Sequence, residues 1–121
     1  MQTHLPIIDQ VDQTISPDDD MYIANAEQHY FGTGEIALKN ILGVVKNPNA
    51  KGIKVKKILD LPSGYSRVLR WLKACFPEAE ITACDTNIKA VDFAFQQFGV
   101  QGVYSQYDLT KIELSNNDYD L

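Results

Sequence analysis

Two aspartates and a glycine carry the chemistry legible in this chain. Asp60 closes the apolar run Ile58-Leu59-Asp60, Gly64 follows within a tight turn, and Asp85 closes a second run, Ile81-Thr82-Ala83-Cys84-Asp85. A carboxylate at a strand end, a glycine turn and a helix directly behind it are how an α/β domain builds a nucleotide pocket. The glycine matters because a side chain there would block close approach of the backbone to a ligand. A second carboxylate at the next strand end can take both hydroxyls of a ribose. The turn lacks the G-x-G-x-x-G pattern that aims backbone donors at a pyrophosphate, and an acid in the first turn suits a ligand with a positive end.

Positioning these residues requires alternating strands and helices, and the pattern supplies them. Val55 to Leu61 is expected as a first buried strand, Ser66 to Phe76 as a helix stopped by Pro77, and Glu80 to Asp85 as a second strand. Asn87 is expected to cap a helix with Ile88, Val91, Phe95 and Phe98 on its inner face and Gly99 at its end. Gly102 to Ser105 reads as a third strand and Asp118 to Leu121 as the entry to a fourth. Such alternation predicts an α/β, Rossmann-like parallel sheet with flanking helices. Upstream, residues 1–27 read as an arm with a helix. Gly32 and Gly34 are expected to interrupt the chain before a packed helix carrying Ile36, Leu38, Ile41, Leu42 and Val45. The sheet is expected to be truncated after the start of strand four, which leaves an open edge and predicts self-association into a homo-oligomer.

Composition narrows the class. At 121 residues, with 45% hydrophobic and 22% charged residues, the chain is expected to form one globular domain. Its net charge of -5 lies in the first fifty residues, which hold seven acids against two lysines. That argues against a nucleic-acid surface, and the basic run Lys51, Lys54, Lys56, Lys57 reads as a solvated loop. No apolar run is long enough to span a bilayer and no signal-peptide pattern opens the chain. Cys75 and Cys84 read as reduced core thiols of a cytoplasmic protein. His4 and His29 lack metal-spaced partners, so no metal site is expected. Asp18-Asp19-Asp20 reads as a solvated helix start, and Arg67 and Arg70 as solvated or salt-bridged. Trp71 is expected to pack in the core. Tyr65 is open between a lid over the ligand and a surface aromatic.

Taken together, Asp60-Leu61-Pro62-Ser63-Gly64-Tyr65-Ser66-Arg67-Val68-Leu69-Arg70 and Phe76-Pro77-Glu78-Ala79-Glu80-Ile81-Thr82-Ala83-Cys84-Asp85 resemble motif I and the following strand of class I S-adenosylmethionine-dependent methyltransferases. The likeness is to a bacterial branch reading D-L-P-C-G-H-G-R-V-L-R and F-P-D-A-x-I-T-A-C-D. Tyr30-Phe31-Gly32-Thr33-Gly34 upstream, and Val91-Asp92-Phe93 and Phe98-Gly99 downstream, extend it over residues 28–121. The resemblance implies an incomplete cofactor-binding half-domain that binds S-adenosylmethionine or S-adenosylhomocysteine, with a small-molecule or glycan acceptor. Asp60 and the backbone of Pro62, Ser63 and Gly64 would contact the methionine part. Asp85 would hold the ribose, Thr86 and Asn87 would lie near the adenosine, and Asp108 and Leu109 would meet the adenine. Tyr30 and Gly34 would cover the methionine carboxylate. The branch has glycine where this chain has Ser66, histidine at Tyr65 and cysteine at Ser63, and the added side chain of Ser66 is expected to narrow the pocket or weaken binding. Catalytic groups in the family lie after strand four, so none is named. Two other readings stay open, a non-catalytic interaction module and an NAD-binding oxidoreductase fragment.

Overall fold

A computed structural model describes residues 6–23, 26–45, 55–105 and 119–121. Its elements are a 3-10 turn at Ile8–Gln10, helix α1 (Glu27–Val45), strand β1 (Lys57–Asp60), helix α2 (Leu69–Cys75), strand β2 (Glu80–Asp85), helix α3 (Ile88–Phe98) and strand β3 (Gln101–Tyr104). The strands form a parallel sheet in the order β1-β2-β3. The α/β, Rossmann-like arrangement expected from the alternation is therefore present.

Register decides where the carboxylates go. Asp60 pairs with Ala83, and Asp85 lies two residues further along β2, opposite Tyr104. Side chains alternate faces with period two, so Asp60, Ala83 and Asp85 share one face at the carboxyl end of the sheet. The chain's last residues lie on the other side of β1. The Asp120 amide donates to Lys57 O at 2.8 Å and the Leu59 amide donates to Leu121 O at 2.9 Å. The Asp120 carboxylate also accepts the amides of Lys56 and Lys57, both at 2.9 Å. Strands thus proceed away from β1 on one side, and the chain returns to it on the other. An α/β sheet opens its ligand crevice where strand order reverses, outside the strands' carboxyl ends. Asp60 sits at that point.

Local signals account for much of this. Asn87 caps α3 by accepting the Ala90 amide, and Gly99 ends the helix with φ 66°. β2 runs over the residues expected of it. Elsewhere tertiary packing overrode the local pattern. α1 continues unbroken through Gly32 and Gly34, because burial of Tyr30, Phe31, Leu38 and Leu42 outweighs a helix penalty of about 1 kcal/mol per glycine. α2 begins three residues later than expected, since Ser66 has φ 73° and cannot belong to a right-handed helix. The inner face of α3 is Ala90, Val91, Ala94 and Phe98, with Ile88 and Phe95 exposed. The two alanines let the helix lie close to the sheet, where Val91 Cγ1 fills the space above Gly102. Trp71, Cys75 and Cys84 are buried as expected.

Gly34 has a sharper reason to be glycine. A Cβ there would lie 2.6 Å from both Arg67 O and Trp71 Cδ1, so α1 can meet α2 and the turn before it only without a side chain. Gly34→Ala should destabilise the fold by about 1–3 kcal/mol despite alanine's better helix propensity. Gly32→Ala, on the same helix but with nothing within 4 Å of its Cβ, should stabilise by about 0.5–1 kcal/mol. Urea denaturation of the two variants reads the difference, and equal effects would remove the close-approach argument.

Arg70 is the fold's unexpected centre. It is 1% exposed, not solvated. Its Nε donates to Ser66 O at 2.9 Å, and its Nη1 to Asp12 O at 3.1 Å and Thr14 O at 2.8 Å. Nη2 reaches Tyr30 Oη and Tyr65 O, both at 3.4 Å. The guanidinium carbon lies 5.3 Å from the ring centres of Tyr30 and Phe98 and 5.5 Å from that of Phe31, a cation–π enclosure. One side chain thereby ties the arm, α1 and the glycine turn together.

Candidate functional site

A cavity of about 380 Å³ opens at the carboxyl ends of β1 and β2, within the size range of small-molecule sites, about 300–1,000 Å³. Asp60, Pro62, Ser63 and Gly64 line one part, and Asp85 and Asn87 another. Six residues singled out by the sequence therefore converge on it. The turn is held by backbone and carboxylate together. The Ser63 amide donates to Cys84 O at 3.0 Å and the Ser66 amide to Ser63 O at 3.1 Å, and Gly64 adopts φ 52°, a left-handed conformation natural to glycine.

Asp85 has a structural task as well as a place in the lining. Its Oδ2 accepts the Gly64 amide at 2.8 Å and its Oδ1 accepts the Asn87 amide at 2.9 Å. The carboxylate staples the turn after β1 to the start of α3. Each oxygen retains acceptor capacity toward a ligand. Asp60 differs: its Oδ2 is buried and has no hydrogen-bond partner within the protein, and neither has Ser63 Oγ. Burial, reinforced by the Asp85 charge, pushes the Asp60 carboxyl up to about 7. The cavity thus presents one carboxyl poised near neutrality beside one held by two amides.

Other expectations fall elsewhere. Thr86 is exposed and outside the lining. Tyr30 is buried beneath the cavity, where its hydroxyl donates to Asp19 Oδ2 at 2.5 Å. Burial and this bond raise its pKa. Gly34 serves the contact between α1 and α2 described above, and neither residue touches the cavity. Asp108 and Leu109 lie outside the described residues. Ser66 does not narrow the pocket: it is fully buried behind the turn, outside the lining, with Oγ unpartnered. It holds instead a left-handed conformation that costs a non-glycine residue about 1–2 kcal/mol.

Several lining residues were not anticipated. Asp19, Asp20 and Met21 of the arm close one side. Asp19 is not part of a solvated helix start; it is 8% exposed, accepting the Tyr30 hydroxyl and, at 2.9 Å, the Met21 amide. The only signal in the sequence was the turn-forming Ser16-Pro17 before the acidic triplet. Tyr65 proves to be a wall: it is buried, its ring centre is 6.2 Å from that of Phe93, and its hydroxyl receives the Asn87 amide side chain at 3.4 Å. Arg67 and Val68 complete the lining. Among the described residues no group of His, Cys, Asp or Glu is arranged to hold a metal ion, and no helix is long and apolar enough to cross a membrane. Comparison with protein-family models, curated proteins and solved structures produced no significant match to this chain.

Proposed function

We propose that the chain is the cofactor-binding portion of an S-adenosylmethionine-dependent methyltransferase and that the cavity outside β1 and β2 takes the cofactor. The observation that carries this reading is the convergence of Asp60, the 62–64 turn, Asp85 and Asn87 on one cavity at the point where strand order reverses. The cavity's chemistry fits the group. Asp60 Oδ2 and Ser63 Oγ are buried without partners and offer acceptors to the cationic methionine end, while the acceptor capacity left on Asp85 faces a ribose. When bound, S-adenosylmethionine supplies an electrophilic methyl group on a sulfonium. The protein's part in such a transfer is chiefly to orient the reactants and exclude water. The turn fixed by Asp85 and the wall of Tyr65 supply rigid surfaces for that. Buried thiols at Cys75 and Cys84 suit a cytoplasmic setting.

Calorimetric titration of S-adenosylhomocysteine into the purified chain, with NAD in parallel, tests the reading. Saturable binding of the first and none of the second is expected. Asp85→Asn, which removes the charge and leaves one oxygen to accept either the Gly64 or the Asn87 amide, should weaken binding at least about tenfold, with a cooperative melt showing that the variant still folds. Absence of binding by a folded chain would leave a methyltransferase-like interaction module, and preference for NAD would favour the oxidoreductase reading.

A further inference from the structure

Strand β3 ends the sheet with an unguarded side. Gln101, Gly102 and Tyr104 are exposed and Val103 is half-buried, and among the described residues no strand pairs beyond β3. Gly102 is exposed even though Val91 Cγ1 fills the space above it, so it shows solvent its backbone along the edge. Native edges are guarded by lysine, proline, a bulge or a covering element. The stretch Gln101-Gly102-Val103-Tyr104 carries neither charge nor proline. This edge lies across the sheet from the chain's last residues, which run beside β1.

Register shows which edge groups are left unpaired. The Ser105 amide donates to Asp85 O at 2.9 Å, and Asp85 lies opposite Tyr104. Alternate residues of a parallel strand bond to a given neighbour. Gln101 and Val103 therefore face β2 with Ser105, while Gly102 and Tyr104 turn both N–H and C=O outward. That spacing is self-complementary. A second copy laid antiparallel about a two-fold axis at Val103 sets each Gly102 opposite a Tyr104, four hydrogen bonds in all. The two Val103 side chains meet between them, and each Tyr104 ring lies over the opposing Gly102. Tyr104 Oη donates to Asp92 Oδ1 at 2.6 Å, which fixes the ring beside α3. Ile88 and Phe95, one turn to either side of Asp92 on the same helix face, are exposed and extend the apolar surface.

We propose that the chain forms a two-fold dimer through the edge of β3, joining two sheets into one, independently of the cofactor reading. The contact is isologous and closes at two copies. The edge is short, so association is expected at about 10–100 µM. Each copy carries a net charge of -5, so added salt should tighten the dimer by screening their repulsion.

Sedimentation equilibrium of the full chain, from about 10 to about 500 µM, should show a monomer–dimer equilibrium that salt strengthens. Val103→Cys tests the register with little change of volume, and the native Cys75 and Cys84 are fully buried. Opposed residues of a non-hydrogen-bonded pair have Cα atoms about 4.5 Å apart, within disulfide reach. Oxidised with diamide, this variant should cross-link at least about tenfold faster than Gln101→Cys, whose copies would lie more than about 10 Å apart. Tyr104→Pro removes an outward N–H that β2 does not use, a change edge strands tolerate. It should weaken association at least about tenfold while keeping a cooperative melt. A monomer at the highest concentration, equal cross-linking at both positions, or association indifferent to Tyr104→Pro would each overturn the dimer.

Discussion

Arg70→Met should lower the unfolding free energy by about 3–5 kcal/mol, reducing the melting temperature by roughly 10–25 °C for a chain of this size. Methionine fills much of the volume, so little of the loss would be a cavity. The loss comes from acceptors stranded by the missing guanidinium. Ser66 O, in the buried interior, and the part-buried Asp12 O and Thr14 O each lose a charged donor within 3.1 Å, and an unsatisfied carbonyl shut off from water costs about 1–3 kcal/mol. Three aromatic faces lose their cation as well. Burial pulls the Arg70 pKa down, opposed by Tyr30, Asp12 and Asp19, and the group is held charged by its surroundings. Arg70→Lys should recover only a small part, because an ammonium cannot reach the arm and the turn with one planar fork. Hydrogen exchange in residues 12–19 should accelerate in both variants, since those residues lose the donor that holds them. A methionine variant melting within about 2 °C of the parent would show that the clamp is not what orders the arm.

Asp60 should make the protein less stable as the pH rises from about 4 to about 7. The sign follows from the two protonation states. Its folded carboxyl is raised to about 7 from an ordinary 3.8, by burial first and the Asp85 charge second. Between those values the folded chain keeps a proton that the unfolded chain has lost, so each step up in pH favours unfolding. Below about 4 both states are protonated and the destabilisation is absent; above about 7 it is complete. A shift of this size corresponds to roughly 4 kcal/mol. Asp60→Asn, neutral at every pH, should therefore be more stable than the parent at pH 8 and nearly equal to it at pH 4. Urea denaturation across that range reads the slope directly, and parallel profiles for parent and variant would refute the buried, proton-holding carboxyl. The same group links stability to binding. A cation seated against Asp60 draws its pKa back down, so uptake of ligand at pH 7 should release a fraction of a proton, visible as a buffer-dependent heat.

The arm is thereby more than an extension of the domain. Asp19 reaches the cavity only because Tyr30 and the Met21 amide orient it, and Tyr30 in turn stands within 5.3 Å of the Arg70 guanidinium. Arg70 then bonds to the carbonyls of Tyr65 and Ser66 in the turn that shapes the opposite wall. Loosening this chain of contacts should disturb both sides of the cavity together.

What the sequence by itself determined was the part governed by short-range rules. β2, the Asn87 cap, the Gly99 stop and the placing of Asp60, Gly64 and Asp85 at strand ends all rest on interactions within a few residues. Period-two alternation and the capping geometry leave little choice there. Convergence of Asp60, Ser63, Gly64 and Asp85 followed from the parallel register that strand–helix–strand spacing implies. Only the tertiary structure decided the rest. Arg70 looks like any exposed helix cation until carbonyls from residues 12 and 14, more than fifty positions away, are brought onto it. Asp19 looks like part of a solvated acidic run until Tyr30, eleven residues later, buries it. Gly34 looks like a helix breaker until Trp71 and Arg67 arrive from α2 and the turn before it. In each case the local preference is worth about a kcal/mol, and burial or desolvation of a long-range neighbour outweighs it.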